Sequence, residues 1–472
     1  MRAGSRRRAP GPAGSPQQRP SSHGPLVADE PPPVSSRVAA AGLAVALVVM
    51  AAGILVPALT GWDVHVRSFP PLHAQWMPRL GPGTVPAVLL AVAAVVAAPR
   101  LAQRLRWGPL LGLAFGYGLA WMLALATVDG LGGIGHILDT SYEYLRTARS
   151  VTDPIALLHE YVSRIPLHST HHWPVHVAGH PPGALLFFVA LVHLGLGSGL
   201  AAGTAVTVIA ATTPLAVLLT LKVLGAERAA RRAAPILVLG PAAVWMAVSA
   251  DAVFGAFAAW GLCLLALAAR ASTRRAMAGW AVASGLALGY CVMMSYGLPV
   301  LGILALAVLV VARSWRALPW AAGAALAVVL AFAAGGFAWW EAYPVLVRRY
   351  YDGVQRNRPY SYWVWGDLAA LCFSAGPVVG ATVAAAFSRL RTAVRAPSQT
   401  RTVVLLALAA LGCVVVADLS GMSKAEVERI WLPFEPWLLI AAALLSARWR
   451  RAGLAIQLTT ALLVQHLLLT GW

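Results

Sequence analysis

The run His168-Ser169-Thr170-His171-His172-Trp173-Pro174-Val175-His176-Val177-Ala178-Gly179-His180-Pro181-Pro182-Gly183 leads directly into Ala184-Leu185-Leu186-Phe187-Phe188-Val189-Ala190-Leu191-Val192. It closes the longest polar interruption of the chain, Asp129 to Pro182, which also holds Glu143 between Tyr142 and Tyr144. Proline is tolerated in the first turn of a helix, where the N–H it lacks would have no partner. The Pro-Pro-Gly therefore reads as the mouth of an apolar helix, and the polar stretch before it as a large loop at a membrane surface.

The surrounding composition agrees. The 472 residues are 59% hydrophobic and 11% charged, which excludes an ordinary soluble protein and fits an all-α, polytopic transmembrane bundle. In lipid the backbone must satisfy itself, and the long Ala/Leu/Val runs are helical in length and type. The formal charge of +19 falls in short clusters between apolar runs. That is the positive-inside pattern, with attraction to anionic membrane lipid, rather than a nucleic-acid footprint. Cys263, Cys291, Cys372 and Cys413 each lie inside an apolar run and read as small core residues.

Residues 1–36 are rich in Arg, Pro, Ser and Gly and read as a disordered basic cytoplasmic tail, with residues 37–472 as the transmembrane domain. The first span is expected near 38–60, entering from the cytoplasm. Further spans are expected near 84–98, 109–127, 233–250, 252–269, 278–297, 299–313, 317–338, 368–387, 402–419, 432–447 and 453–470. The run 184–223 reads as one crossing plus a short, partly inserted helix, because two crossings would put Arg228, Arg231 and Arg232 outside. The expected total is about 13 spans, N-terminus in, with outer loops near 61–83, 128–183, 339–367 and 419–432. In this topology every carboxylate except Asp29, Glu30 and Glu227 lies in an outer loop or at an outer span end. Charge close to a membrane is costly and marks function. A proton-coupled transporter would place some of it at mid-bilayer.

Asp63, beside the interfacial Trp62, is a candidate base for a hydroxyl nucleophile at the outer leaflet. The alternative is a helix-end charge in water. His168, His171, His172, His176 and His180 admit three readings: metal ligands, donors to phosphate or sugar hydroxyls, or plain polar loop residues. His180 is singled out because two prolines hold it at the helix mouth. Residues 141–146 and 153–164 carry apolar residues at helical spacing and read as two short helices lying in the interface. Asp251 either holds a substrate group or caps the helix that follows. Arg348, Arg349, Arg356 and Arg358 stand outside against the topology rule, which points to a phosphate. In the last outer loop Lys424 or Arg429 is placed to neutralise a lipid phosphate, with Glu426 or Glu428 orienting it.

Three of these features together resemble the GT-C superfamily of integral membrane glycosyltransferases, which includes protein mannosyltransferases and actinobacterial mannosyl- and arabinosyltransferases. They are the Asp after the first span (Asp63), a long outer loop ending in Gly179-His180-Pro181-Pro182-Gly183, and an Asp at the end of a later span (Asp251). The Ala/Arg/Gly/Pro-rich composition likewise resembles that of a high-GC actinobacterium. The resemblance implies a polyprenyl-phosphate sugar donor, a glycan, lipid or protein acceptor, and transfer at the outer face of the plasma (inner) membrane. It assigns the base to Asp63 and the lipid phosphate to Arg348, Arg349, Lys424 and Arg429. Asp63 is followed by Val64 and His65 rather than by a second acid, so Glu143 stands as the alternative base. The expected catalytic set is Asp63, Glu143 and His180. Tyr142, His172, His176, Asp251, Arg348, Arg349, Lys424, Glu428 and Arg429 are the expected substrate contacts. No metal ligand is assigned, and a divalent cation stays open as a cofactor. The rival readings are a transporter or lipid flippase, and a non-catalytic subunit of envelope assembly.

Overall fold

A computed structural model describes residues 1, 4, 32–395 and 397–471. Most of the basic tail expected at 1–36 lies outside the described residues. Residues 34–472 form one unit, an all-α bundle. Among the described residues, seven helices are long and apolar enough to cross a membrane: Ser36–Thr60, Thr84–Arg104, Trp107–Asp129, Gly199–Val223, Ala250–Arg270, Arg274–Met294 and Gln399–Leu419. Two further pairs pass only when joined across a bend, Leu318–Ala334 with Trp339–Asp352 at 75° and Tyr360–Ser374 with Val378–Arg395 at 104°. By length and composition the described helices thus give seven to nine candidate spans, against the expected total of about 13. Several apolar runs are cut short by proline, which supplies no N–H and disfavours helix in the residue before it. The run 233–250 stops as a helix at Val238, ahead of Pro241, and resumes only as Ala243–Met246. The run 432–447 contains Pro433 and Pro436 and forms a single turn, Glu435–Leu439, followed by a 3-10 segment. The run 368–387 is broken at Gly376-Pro377, where Gly376 has φ +79°. Residues 184–223 resolve into a 12-residue helix, Pro182–His193, and the 25-residue Gly199–Val223.

Helix faces that meet no neighbour carry large apolar side chains, among them Val45, Val48, Leu55, Leu89, Val92 and Val96. Such a belt suits hydrocarbon rather than water. The four cysteines are buried and form no disulfide. Ser36–Thr60 packs on Val378–Arg395 at unusually short range. A Cβ on Gly42 would lie 2.3 Å from the Gly380 carbonyl oxygen, and one on Gly380 would lie 2.2 Å from that of Gly42. Small residues at such a crossing let two backbones touch, the usual means of helix association in membranes. Gly380→Val is accordingly expected to separate the two helices and cost about 1–3 kcal/mol. A lowered thermal midpoint in detergent checks this, and an unchanged one would refute the close crossing.

Between the first helix and Thr84, the chain forms the strand Ala74–Trp76, which pairs antiparallel with Leu468–Thr470, Ala74 opposite Thr470. This departure from all-α structure locks the first long loop to the end of the last helix, Ala447–Leu467. Thr84 Oγ1 also meets His466 Nε2 at 3.0 Å. Thr84–Arg104 and Ala447–Leu467, each 21 residues, therefore lie antiparallel, with Arg104 and Arg448 together at the far end. Their length is roughly 31 Å, the thickness of a hydrocarbon core. Arg79 and Gln465 both bond the Asp129 carboxylate at the strand-pair end.

Candidate active site

Elements from four separate regions converge at the strand-pair end on a buried group of charged side chains. Glu143 occupies the N-cap position of helix Tyr144–Ser150, yet its carboxylate caps nothing. Its Oε1 lies 2.7 Å from His176 Nδ1, on the short helix Val175–Gly179. His176 Nε2 lies 3.3 Å from Nη2 of Arg429. A guanidinium can only donate, so Nε2 accepts and the ring proton sits on Nδ1, directed at Glu143. Arg429 Nη1 donates to Asp251 Oδ2 at 2.5 Å, and Nη2 to Glu426 Oε2 at 2.8 Å. Glu143, Asp251 and Arg429 are each no more than 5% exposed. Among the described residues, Glu143 Oε2 has no hydrogen-bond partner.

The local backbone explains the convergence. Ser249, not Asp251, caps Ala250–Arg270 by accepting from the Ala252 N–H, which leaves the Asp251 carboxylate in the first turn to meet Arg429. Val248 just before it has φ +61°, and Ala425 and Glu426 before the Val427–Ile430 turn have φ +68° and +64°. A left-handed backbone at non-glycine residues costs of order 1–3 kcal/mol each. Here it flanks both partners of the Asp251–Arg429 pair and turns Glu426 back toward two guanidiniums.

Arg358 is also buried. Its Nη1 donates to the Lys424 carbonyl and lies 3.8 Å from Glu426, while Nε donates to the His65 carbonyl. Burial alone would raise the Glu426 carboxyl, but Arg429 and Arg358, helped by His176 and His73, pull it down to about 2. Its side chain keeps 20% exposure, so the group reaches solvent on that side. Glu428 accepts from the His73 N–H at 3.2 Å. Burial pushes its carboxyl up to about 7, with Glu426 adding repulsion and Arg429 opposing it. The folded chain thus favours protonated Glu428. That contribution to stability is complete below the ordinary value of 4.5 and is lost as pH rises through about 7. Glu428→Gln is expected to flatten the fall in thermal midpoint between about pH 4.5 and pH 7. An identical pH profile in the variant would show that Glu428 does not titrate there.

Other sequence candidates are distributed differently. His180 is at the cluster's edge: its Nδ1 donates to the His176 carbonyl at 2.8 Å, and its ring packs on Tyr144 and Phe254. Burial lowers its basicity. Asp63 makes no contact with these charged side chains among the described residues: its side chain is 74% exposed and its carboxylate is bonded to the His65 N–H and ring. Tyr142 and His172 are exposed. Arg349 is spent on the carbonyls of Ile165 and Trp173, and Lys424 Nζ on those of Gln355 and Arg358. Arg348 is exposed on Trp339–Asp352. Two short helices form near the expected stretches 141–146 and 153–164, as Tyr144–Ser150 and Pro154–Glu160, the second capped by Asp153. Among the described residues, no group of three or more His, Cys, Asp or Glu is arranged to hold a metal ion.

His73 is the part of this centre that the sequence candidates leave out, while Arg358 and Glu426, read there as phosphate-side groups, instead pair with each other beside Arg429. Glu426 had a local signal, three residues before Arg429 on one turn. Arg358 was one of several arginines in a polar loop, and His73 contributes through its backbone, which leaves no mark in a sequence. No family model and no curated protein matches this chain.

Proposed function

We propose that this protein is a membrane glycosyltransferase that moves a sugar from a polyprenyl-phosphate donor to a cell-envelope acceptor. The observation that carries the reading is the Glu143–His176–Arg429–Asp251 chain, a carboxylate with one unpartnered oxygen held by a histidine and a buried ion pair. Buried, mutually oriented titratable groups are what acid–base chemistry requires, and they cost stability where no chemistry uses them. By the positive-inside rule the arginine-rich end is cytoplasmic, and the site then faces the outer leaflet.

In this reading Glu143 Oε2 takes the proton of the acceptor hydroxyl. The hydroxyl oxygen bonds to the anomeric carbon, the bond from that carbon to the phosphate oxygen breaks, and the electron pair leaves with the lipid phosphate. His176, its proton on Nδ1, fixes the Glu143 carboxylate. Arg429 fixes His176 and is itself held by Asp251 and Glu426, so its role is positioning rather than phosphate binding. The exposed Arg348 is the better placed of the proposed phosphate contacts, because Arg349 and Lys424 already bond backbone carbonyls. Purified protein supplied with polyprenyl-phosphate sugars should give a glycosylated acceptor, and cells lacking the protein should lose one glycolipid or glycan species. An unchanged envelope glycan and glycolipid profile would sink the proposal.

One observation favours a second reading, a transporter or flippase. The Tyr360–Ser374 and Val378–Arg395 pair is a discontinuous helix, and at its break Ser374 bonds the buried Glu435 while Gln457 donates to the Ala375 carbonyl. Broken helices with buried polar groups line transport sites. Counterflow of lipid or solute in proteoliposomes, without sugar transfer, would favour it.

A further inference from the structure

The end of the bundle opposite the carboxylates holds a cavity of about 710 Å³ between three helices, Thr84–Arg104, Glu227–Val238 and Ala447–Leu467. Each helix contributes arginines from its terminal turns. Arg100 and Arg104 come from the first, Arg231 from the second, and Arg448 and Arg451 from the third, and among the described residues no carboxylate lines the cavity. Arg231 is a fixed wall. It bonds Glu227 and the carbonyls of Ala102 and Leu105, tying the second helix to the end of the first. Glu227, the neighbouring carboxylate, is already neutralised by Arg231 and Lys222. Arg100, Arg104, Arg448 and Arg451 are exposed into the opening.

The lining is stratified. On all three helices the positions about one turn deeper, roughly 5–8 Å along the axis, are apolar: Val95, Ile236 and Ala455. A site for a soluble anion has no use for an apolar inner layer. A cationic rim over such a layer matches an amphiphile, with phosphate on the guanidiniums and the start of an acyl chain among the aliphatic side chains. Guanidinium forks suit phosphate oxygens, and basic pockets between helices at a cytoplasmic surface attract anionic head groups.

We propose that this cavity binds the phosphate headgroup of an anionic membrane lipid. The site is separate from the carboxylate cluster and does not depend on the glycosyltransferase reading. Full-length protein in neutral detergent, titrated with phosphatidylglycerol and followed by native mass spectrometry, should retain bound lipid. Phosphatidylcholine should bind about tenfold more weakly. The triple variant Arg104→Gln, Arg448→Gln, Arg451→Gln should lose at least about tenfold in phosphatidylglycerol affinity, because each cation near such a headgroup adds to its attraction. The control triple Arg270→Gln, Arg274→Gln, Arg275→Gln removes equal charge from the same end of the bundle and should bind as the wild type does. Both variants change exposed side chains, and equal thermal midpoints verify that they fold. Unaltered binding in the first triple, or an equal loss in the control, would overturn the proposal. Displacement of the lipid by an equal concentration of inorganic phosphate would overturn the lipid assignment in favour of a soluble anion.

Discussion

Arg429→Met is expected to destabilise the protein by roughly 3–5 kcal/mol, more than Gly380→Val at the helix crossing. Arg429 and Asp251 side chains are each 6% exposed and their charged atoms are 2.5 Å apart. Bringing both out of water costs several kcal/mol per ion, which the close contact and the second carboxylate, Glu426, offset. Methionine matches the length of the arginine stem but leaves Asp251 a buried anion without its cation, and Glu426 with only Arg358 at 3.8 Å. The two carboxylates would then repel each other, and the left-handed backbone at Ala425 and Glu426 would lose the contact that holds it. The measurement is the thermal unfolding midpoint in detergent at fixed scan rate, since unfolding of such proteins is commonly irreversible. Adding Asp251→Asn to Arg429→Met should restore part of the loss, because it removes one unpaired charge. If the single variant unfolds at the wild-type midpoint, the ion pair is not formed in the folded protein. If the double variant is as unstable as the sum of its parts, the two residues do not interact.

Glu143→Gln is expected to lower sugar transfer by about 10²–10⁴-fold, the range that one general base contributes. The substitution keeps shape and keeps an oxygen that accepts from His176 Nδ1, so the fold and the donor affinity should stay as they are. The loss should therefore fall on kcat, with KM little changed. Asp63→Asn is the matched comparison. Its carboxylate is exposed and bonded within its own loop, so it should alter the rate by less than about threefold, like other surface changes. A larger loss in Asp63→Asn than in Glu143→Gln would move the base to the first loop and refute the role given to Glu143. A loss in Glu143→Gln accompanied by a fall in thermal midpoint would mark it as structural.

What the sequence by itself determined is local in origin. Runs of apolar residues long enough to span hydrocarbon dictate helices, since a backbone in lipid has few other ways to satisfy its N–H and C=O groups. The proline at Pro182 opens a helix as read, and the residue types at Glu143, His176, Asp251 and Arg429 announce charge that a membrane protein tolerates only for a purpose. The breaks in several expected spans also have a local cause in Pro241, Pro377, Pro433 and Pro436, whose effect on apolar runs a hydropathy reading overlooks.

Tertiary structure alone decided which polar residues meet. Glu143, His176, Asp251 and Arg429 are up to 286 positions apart along the chain, and their contacts depend on helix packing that no short window of sequence contains. Asp63 and Arg429 are equally charged candidates by type. Burial of one beside two carboxylates and exposure of the other separate them, because the strength of a charge's interactions depends on its surroundings rather than its identity. The pairing of Ala74–Trp76 with Leu468–Thr470 is of the same kind. It joins the first loop to the last helix through backbone hydrogen bonds, which any side chains would allow and none foretell.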